Sequence, residues 1–250
     1  MNDSHKIYGL TGFPLGHSFS RAFFTDKFRR ENIDAEYVNI ELPHISDITD
    51  VILNSPALAG FNVTIPHKET IIPMLDSVDA GALAIGAVNV VKIDRNGGVP
   101  RLTGYNTDII GFTESIRPLL HGTHSKALVL GSGGASKAVC AGLRSLGIEP
   151  LTVSRTPSGN SVSYSELDRE TIASHTIIVN TTPLGMFPVT DACPDIPYRH
   201  ITPRHVCYDV IYNPAETLFM KRCAEAGATV EGGLRMLELQ ALAAWDIWNN

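Results

Sequence analysis

The sequence has few cysteines, and none of them forms a close pair. The four, Cys140, Cys193, Cys207 and Cys223, include no C-x-x-C spacing, so neither a zinc site nor a disulfide framework is indicated. The nine histidines likewise show no H-x-x-x-H spacing. We therefore predict that the protein has no metal site.

Long hydrophobic runs and an excess of positive charge are also missing. The uncharged stretch Ala80–Val91 is too short to span a bilayer, and the net charge of -6 argues against a general nucleic-acid-binding protein. Residues Met1–Lys6 lead into a strand-like run without the apolar segment of a signal peptide. We expect a cytoplasmic protein with no membrane and no nucleic-acid partner.

What the chain does have is enough apolar material for one large domain or two smaller ones. Its 250 residues are 44% hydrophobic and 18% charged, which is typical of a packed globular protein and not of a disordered one. Strand-like and helix-like segments alternate up to about residue 121. That order predicts an α/β protein with a mostly parallel sheet.

The segment Phe61–Lys68 joins a strand to a predicted helix. Its first five residues alternate between apolar and polar, which is the period of a strand, and Pro66 suits the first turn of a helix. This arrangement places Thr64 and Lys68 at the carboxyl end of a strand, where open α/β sheets bind ligands. Lys68 is then a candidate acid–base group, and the alternative is a solvated surface lysine.

Four more polar residues lie at the ends of predicted elements. Ser18 and Ser20 precede a helix, where serines either cap the helix or donate to a carboxylate. Asn89 interrupts a predicted strand, so it is exposed, bonded to the backbone or bonded to a ligand. Asp108 falls in the first turn of another helix, where the helix dipole by itself favours a carboxylate. The residues alone leave these alternatives open.

A second strand–turn–helix unit begins after a polar break at residues 121–125. Ala127–Leu130 is a continuous apolar strand, and the turn Gly131-Ser132-Gly133-Gly134-Ala135-Ser136 leads from it into a helix. In this G-x-G-x-x-S turn the first glycine permits the sharp bend, and the second lets the backbone approach a pyrophosphate at the helix N-terminus. The context predicts a dinucleotide site.

The end of the next strand, Pro150–Val153, indicates which dinucleotide is bound. NAD sites place an acid there for the ribose 2′-hydroxyl, but the only nearby acid, Glu149, is at the wrong end of the strand. Ser154, Arg155 and Thr156 are at the right end. A guanidinium with flanking hydroxyls suits a 2′-phosphate, so we predict NADP, the alternative being that Arg155 is an ordinary surface arginine.

The remaining elements are two strands and a long amphipathic helix. The strands cover Thr176–Val179 and Val206–Ile211, and Tyr212-Asn213-Pro214 is expected to end the second strand and start a helix. The last helix covers Leu234–Trp248. Within it, Gln240 is either exposed or directed into a cleft.

The chain resembles the shikimate dehydrogenase family in six blocks that occur in the same order over nearly its whole length. The blocks are Gly12–Ser20, Asn62–Lys68, Gly86–Asn89, Asn106–Asp108, Gly131–Ser136 and Gly233–Gln240. The resemblance implies an oxidoreductase of aromatic amino-acid biosynthesis. It would reduce 3-dehydroshikimate reversibly to shikimate, by transfer of a hydride from NADPH to the C3 carbonyl.

The resemblance also implies roles for the residues that match the family's motifs. Lys68 is the implied catalytic residue, with Asp108 as its partner. The substrate carboxylate is implied to bind Ser18 and Ser20, and the other implied substrate contacts are Thr64, Asn89, Tyr212 and Gln240. For NADP the implied contacts are Gly131, Gly133, Gly134, Ala135, Ser154, Arg155, Thr156, Gly233 and Met236.

Some positions depart from the family's pattern. Arg21 follows Ser20 where the family has a proline, which affects the expected start of the helix. No second basic residue follows Arg155, so the 2′-phosphate would be held less tightly. Arg235 and Leu239 replace small residues near the start of the last helix and would reshape the edge of the cofactor site.

We therefore expect a two-domain α/β dehydrogenase. Residues 1–106 with the C-terminal helix 234–250 would bind substrate, and residues 107–233 would form a Rossmann-type NADP-binding domain. Two other functions stay open. One is an NAD-using quinate/shikimate dehydrogenase, against which Ser20 and Arg155 argue, and the other is a catalytically silent NADP-binding module. The sequence is compatible with a monomer or a homodimer.

Overall fold

The structure is a computed structural model that describes residues 5–16 and 19–250. The chain divides into two compact units, Met1–Thr107 with Ala241–Asn250 and Asp108–Gln240. The sequence predicts a boundary after residue 106 and the whole last helix in the first domain, whereas the observed division passes through that helix. Within the described residues, no helix is both long and apolar enough to cross a membrane.

The first unit contains a six-stranded sheet. Its strands are β1 (Lys6–Gly12), β2 (Ala35–Glu41), β3 (Leu58–Val63), β4 (Ser77–Val78), β5 (Val90–Asp94) and β6 (Arg101–Tyr105), in the order β2-β1-β3-β5-β6-β4. β1 pairs in parallel with β2 and β3, and β4 with β6. β5 is antiparallel to both neighbours, β3 and β6. The short connection from β5 to β6 permits only a hairpin between those two strands. The predicted mostly parallel sheet is confirmed, with β5 as the exception.

The helices of this unit are α1 (Phe19–Glu31), α2 (Ile48–Asn54) and α3 (Ala80–Ile85), with 3₁₀ turns at Ile45–Asp47 and Ile72–Met74. An aromatic core contains Tyr8, Phe24 and Trp248, all nearly inaccessible to solvent. Trp248 lies near the C-terminus of the last helix, which covers Leu234–Asn249, and its ring nitrogen donates to the backbone oxygen of Val91 at 3.0 Å. The end of this helix is therefore fixed to the first sheet.

The predicted helix from Pro66 is wrong. Residues 65–71 form turns, and only the 3₁₀ turn at Ile72–Met74 is helical before β4. The backbone oxygen of Lys68 accepts the N–H of Val88 at 2.8 Å, so it does not accept from the residue four positions later, as an α-helix requires. Pro73 also has no N–H to donate within a helix that would continue from Pro66.

The second unit contains a five-stranded sheet in which every pair is parallel. Its strands are β7 (Lys126–Leu130), β8 (Glu149–Val153), β9 (Ile177–Asn180), β10 (Val206–Asp209) and β11 (Thr229–Glu231), in the order β11-β10-β9-β7-β8. Apolar clusters cover both faces, as expected for buried parallel strands. The α/β fold with a Rossmann-type second unit is confirmed.

The helices of the second unit are α4 (Asp108–Ile116), α5 (Gly134–Ser145), α6 (Arg169–Ser174) and α7 (Leu218–Glu225), followed by the first part of α8 (Leu234–Asn249). The predicted helix start at Pro214 is wrong, because α7 begins four residues later. Its N-cap is Thr217, whose hydroxyl accepts the N–H of Met220 at 3.2 Å. A threonine hydroxyl in this position satisfies one of the free N–H groups of the first turn.

Candidate active site

Thr64 lies at the carboxyl ends of two adjacent strands, β1 and β3. Its N–H donates to the backbone oxygen of Thr11 at 2.8 Å. A Cβ on Gly12 would collide with the Thr64 methyl group, so the absence of a side chain at Gly12 lets the two strand ends approach. The structure thus places this predicted substrate residue at the edge of the sheet where open α/β folds bind ligands.

Lys68 is held in a turn that is bonded on two sides. Its backbone oxygen accepts the N–H of Val88 at 2.8 Å, which ties the turn to the segment before β5. The neighbouring His67 is 4% exposed, and its Nε2 contacts the backbone oxygen of Leu42 at 2.7 Å. Lys68 is partly buried, so a fully solvated surface lysine is not what the structure shows.

Asn89 is buried and bonds the backbone, which rules out the exposed alternative, and its contact with a ligand stays a prediction. Its Oδ1 accepts the Thr107 N–H at 2.7 Å, and its Nδ2 donates to Thr107 Oγ1 at 3.1 Å. The amide therefore fixes the residue that precedes Asp108. Asp108 is the first residue of α4, as predicted, but it is 8% exposed, so it is not a solvated dipole partner. The predicted contact between Lys68 and Asp108 stays a prediction.

Of the two predicted carboxylate-binding serines, Ser18 lies outside the described residues. Ser20 is the second residue of α1 and is 9% exposed, so it lies inside the first turn of the helix that was expected to follow it. The Ser20 hydroxyl is close enough to the hydroxyl of Tyr37 to lower the pKa of that phenol. Tyr37 in turn donates to Asn62 Oδ1 at 2.6 Å.

A continuous buried polar chain in the first unit consists of Tyr37, Asn62, Asn89 and Thr107, and Ser20 lies at its Tyr37 end. The link between its halves is Asn62 Nδ2, which donates to the backbone oxygen of Asn89 at 3.3 Å. Burial holds the pKa of Tyr37 well above its ordinary value, and the Ser20 hydroxyl only partly opposes that shift. The phenol therefore stays protonated and can donate to Asn62 at any physiological pH.

Sequence reasoning assigned no functional role to Tyr37 or Asn62. Tyr37 lies in an alternating strand, where a buried aromatic residue is normally core material, and 25 positions separate it from Asn62. A signal was available at Asn62, a polar residue beside the buried strand residues Phe61 and Val63. A buried amide needs partners, so its position indicated a polar contact without identifying it.

The glycine-rich turn of the second unit has the geometry expected of a phosphate-binding loop. Gly131 adopts φ +113, and a Cβ there would lie 2.8 Å from Thr181 Oγ1, so only glycine fits. Gly133 is the N-cap of α5, and no heavy atom of the described residues lies within 4 Å of where its Cβ would stand. The N–H groups of Gly134 and Ala135 belong to the first turn, where a helix offers anion-binding donors.

The end of β8 places the predicted selectivity residues beside this turn. Ser154 is buried, and its Oγ lies 3.4 Å from the Oγ of Ser132 in the glycine-rich turn. Ser154 Oγ also accepts the Thr156 N–H at 3.3 Å. Arg155 and Thr156 are exposed. An open cradle for a pyrophosphate with an exposed guanidinium beside it fits a dinucleotide that carries a 2′-phosphate.

The last helix begins with a backbone contact that also requires a glycine. Gly233 donates its N–H to the backbone oxygen of Ile211 at 2.9 Å, and a Cβ on Gly233 would collide with the Val210 carbonyl. Tyr212, beside this contact, is 38% exposed. Met236, a predicted cofactor contact, is 8% exposed within an apolar core cluster.

Gln240 is buried, which rules out the exposed alternative. Its Nε2 donates to the backbone oxygen of Leu237 at 2.9 Å, and its Cβ would lie 3.0 Å from a Cβ on Gly111. The glycine on α4 therefore allows the two helices to pack closely at this level. A substrate contact for Gln240 stays a prediction.

Asp209 is a buried acid that the sequence analysis passed over. It ends β10 with no exposed surface, and burial raises its pKa to about 6, against the hydrogen bonds from Thr217, Ile211 and Asn180. The available signal was an acid inside the apolar run Val206–Ile211, because a buried carboxylate needs hydrogen-bond donors.

Solved structures with similar folds include several shikimate dehydrogenases and a 5-ketofructose reductase from Gluconobacter, with a TM-score of 0.83 and 27% identity over 97% of this chain and 92% of that one. The crystal structure of shikimate dehydrogenase from Aquifex aeolicus has a TM-score of 0.86 and 36% identity, covering 100% of this chain and 94% of that one. The Thermus thermophilus shikimate 5-dehydrogenase, solved in complex with NADP(H) and shikimate, has a TM-score of 0.85 and 29% identity. That match covers 97% of this chain and 93% of the other.

Sequence comparison gives the same family. Residues 10–91 match the model of the shikimate dehydrogenase substrate binding domain. The shikimate dehydrogenase (NADP(+)) of Carboxydothermus hydrogenoformans is 37% identical over 265 residues, which cover 99% of this chain and 93% of the relative. With this identity over almost the full length, and with both strand-end sites present in the structure, the chain belongs to the shikimate dehydrogenase family.

Proposed function

We propose that this protein is an NADP-dependent shikimate dehydrogenase, which reversibly reduces 3-dehydroshikimate to shikimate in aromatic amino-acid biosynthesis. The observation that carries the proposal is the presence in one chain of two complementary sites. One is the Thr64–Lys68 turn at the strand ends of the first sheet. The other is the glycine-rich turn with Arg155 at the strand ends of the second sheet.

The first unit supplies most of the groups for a substrate with one carboxylate and several hydroxyls. Ser18 and Ser20 bind the carboxylate, and the remaining substrate contacts come from Thr64, Asn89, Tyr212 and Gln240. For Ser18, Ser20, Thr64 and Asn89 the support is the family match over residues 10–91, and for Tyr212 and Gln240 it is the similarity to relatives over almost the full length. Thr64 and Ser20 also lie at strand and helix ends, which favour ligand binding. A ligand rich in hydroxyls needs such donors and acceptors, since an unpaired buried polar group is costly.

Lys68 is the proposed catalytic group, with Asp108 as its partner. When bound, NADPH supplies a hydride to the C3 carbonyl of the substrate. Lys68 donates a proton to the carbonyl oxygen as negative charge develops on it, and in the reverse direction accepts that proton. Asp108 orients the ammonium group. The turn around Lys68 is held by Val88 and His67, which supports a fixed position for the lysine.

The second unit binds the cofactor. Gly131, Gly133, Gly134 and Ala135 hold the pyrophosphate through backbone N–H groups. Ser154, Arg155 and Thr156 hold the 2′-phosphate, and Gly233 and Met236 lie beside the nicotinamide. The supporting observations are the φ of Gly131, the open surface at Gly133 and the exposure of Arg155. The proposal includes a cytoplasmic location and a monomer or homodimer.

The test is a spectrophotometric assay of shikimate oxidation at 340 nm with NADP and NAD compared side by side. We expect turnover with both substrate and cofactor present and a clear preference for NADP. Quinate serves as the matched alternative substrate. No turnover with either cofactor would contradict the proposal, and a preference for NAD or for quinate would favour the quinate/shikimate alternative instead.

A further inference from the structure

Asp209 accepts three hydrogen bonds where the buried strand β10 ends. Its Oδ1 accepts from Asn180 Nδ2 at 3.1 Å and from the Ile211 N–H at 3.0 Å. Its Oδ2 accepts from Thr217 Oγ1 at 2.6 Å. Asn180, Asp209 and Thr217 have no exposed surface, and Ile211 is 5% exposed. A carboxylate in such a place is stable only because donors surround it.

Two of these bonds close a loop. Ile211 and Thr217 flank the segment Tyr212–Glu216, and both donate to the same carboxylate. The third bond attaches the carboxylate to Asn180 at the end of β9. One side chain therefore joins the segments that follow two adjacent parallel strands. Ligands of open α/β sheets bind at these carboxyl ends.

The clamped loop also sets the start of α8. Gly233 donates its N–H to the Ile211 oxygen at 2.9 Å and packs so closely on Val210 that no Cβ fits. A displacement of Ile211 would therefore displace Gly233 and the first turn of the helix that carries Met236. Tyr212 lies within the loop and is 38% exposed. Three residues of the proposed ligand sites thus depend on the position of one loop.

We propose that Asp209 is a positioning residue for the cofactor site: its carboxylate clamps the Tyr212–Glu216 loop and so holds Gly233 and the start of α8 in place for NADP(H). This inference rests on the NADP-dependent function proposed above. Asp209 acts through the loop that it holds. Its own role is to keep the N–H of Ile211 and the hydroxyl of Thr217 on one fixed acceptor.

The experiment removes the hydrogen bond between Asp209 and Thr217 by substituting each partner in turn. Asp209→Asn keeps an acceptor oxygen for Asn180 and Ile211 but presents an amide to Thr217. Thr217→Val removes the same bond from the other end. Because both substitutions break one shared bond, their effects in the double variant should not add.

Two readouts are made without turnover. The first is fluorescence titration of the protein with NADPH. The dissociation constant should rise about tenfold in each single variant and in the double variant, because each of them loses the same charge-assisted hydrogen bond. Amide hydrogen exchange in the ligand-free protein should be faster for residues 211–217 than in wild type, since the loop then opens more readily.

Asp168→Ala is the matched control, because Thr217 also caps α7. Asp168 caps α6 in the same unit through the Thr171 N–H at 2.8 Å. Its replacement loses a helix cap and leaves every Asp209 bond in place. We expect a lower Tm, comparable to that of Thr217→Val, with wild-type NADPH affinity and wild-type exchange in the loop.

The inference is overturned if Asp209→Asn and Thr217→Val bind NADPH with wild-type affinity and show wild-type exchange at residues 211–217. Asp209 would then serve stability alone. A wild-type protein that bound no NADPH would overturn the proposed function, and this inference with it. That failure is distinguishable because it appears before any substitution is made.

Discussion

Both units use buried polar side chains to join strand ends to nearby segments. The side chains that do so are neutral in the first unit, whereas in the second unit they surround an ionisable acid. In the first unit, Tyr37, Asn62 and Asn89 link β2, β3 and the segment before α4. In the second, the Asp209 carboxylate joins the segments after β9 and β10. Neutral hydrogen bonds are weaker than those to a charged group but do not require burying a charge.

The difference predicts how each unit responds to pH and to substitution. The neutral chain should hold the substrate-side residues equally well across the physiological range. The Asp209 clamp should depend on whether the carboxyl group is ionised, because its pKa is about 6. The four predictions that follow test whether the first unit governs substrate chemistry and the second governs cofactor binding, from the largest expected effect to the smallest.

The largest effect is expected for Lys68→Met, which keeps much of the side-chain stem and removes the charge. Loss of a general acid–base should lower kcat for shikimate by roughly 10²–10⁴-fold. KM for shikimate and the dissociation constant for NADPH should change little. Steady-state kinetics and NADPH titration measure these quantities. A change mainly in KM would mean that Lys68 contributes uniform binding and not transition-state stabilisation.

The second prediction concerns stability and pH at Asp209. Its pKa of about 6 in the folded protein lies above the ordinary 3.8, so the folded state retains a proton that the unfolded state loses. The contribution of Asp209 to the free energy of unfolding is therefore present below pH 4 and lost as pH rises through 6. The loss is about 3 kcal/mol for a shift of this size.

Urea unfolding of wild type and Asp209→Asn at several pH values between 4 and 7 measures that contribution. The wild-type stability relative to the variant should fall across this range. The matched variant Tyr37→Phe, in the neutral chain, should differ from wild type by the same amount at every pH. A constant difference for Asp209→Asn as well would show that the carboxyl group does not titrate in this range.

The third prediction concerns the cofactor. Arg155→Ala should raise KM for NADP far more than KM for NAD, because only NADP carries the 2′-phosphate. The loss of a charge-assisted pair corresponds to about 1.5–3 kcal/mol. KM for shikimate should not change, since Arg155 is not among the proposed substrate contacts. Equal effects on the two cofactors would indicate that Arg155 does not contact the 2′-phosphate.

The smallest effect is expected for Tyr37→Phe, with Tyr208→Phe as its counterpart in the second unit. Each substitution removes a buried tyrosine hydroxyl that has a hydrogen-bond partner, Asn62 at 2.6 Å in one case and Ser115 at 2.7 Å in the other. Each should cost about 1–3 kcal/mol of stability by leaving buried groups unpaired.

Only Tyr37→Phe should also raise KM for shikimate, by a few-fold, because it disturbs Ser20 and Asn62 in the substrate unit. NADPH affinity should be unchanged in that variant. If both variants lost stability alike and neither altered KM, the buried polar chain would have no role in substrate binding beyond stability.

Four strands of the second sheet, β7 to β10, could be predicted to within a few residues because their signal is local, whereas the short edge strand β11 was not predicted. Ala127–Leu130 and Thr176–Val179 are continuous apolar runs, and the structure has strands at Lys126–Leu130 and Ile177–Asn180. The helices expected at Pro66 and Pro214 are wrong because helix formation there depends on contacts that are distant in the sequence. Proline suits a helix start, but whether a helix follows depends on where the neighbouring carbonyls and N–H groups find partners. At Lys68 that partner is Val88, which is 20 positions away.

What the sequence by itself determined is the order of elements, the glycine-rich turn and the arginine at the end of β8. Each of these features depends on residues that are close in the sequence. Gly131, for example, adopts φ +113, a backbone conformation that glycine reaches more readily than other residues. The tertiary structure decided the partners of the polar residues, among them Tyr37 with Asn62, Asn89 with Thr107, and Asp209 with Asn180. An apolar side chain can pack against many different neighbours, whereas a buried polar atom needs a partner at about 3 Å. Only the folded arrangement of strands and loops brings that partner within reach.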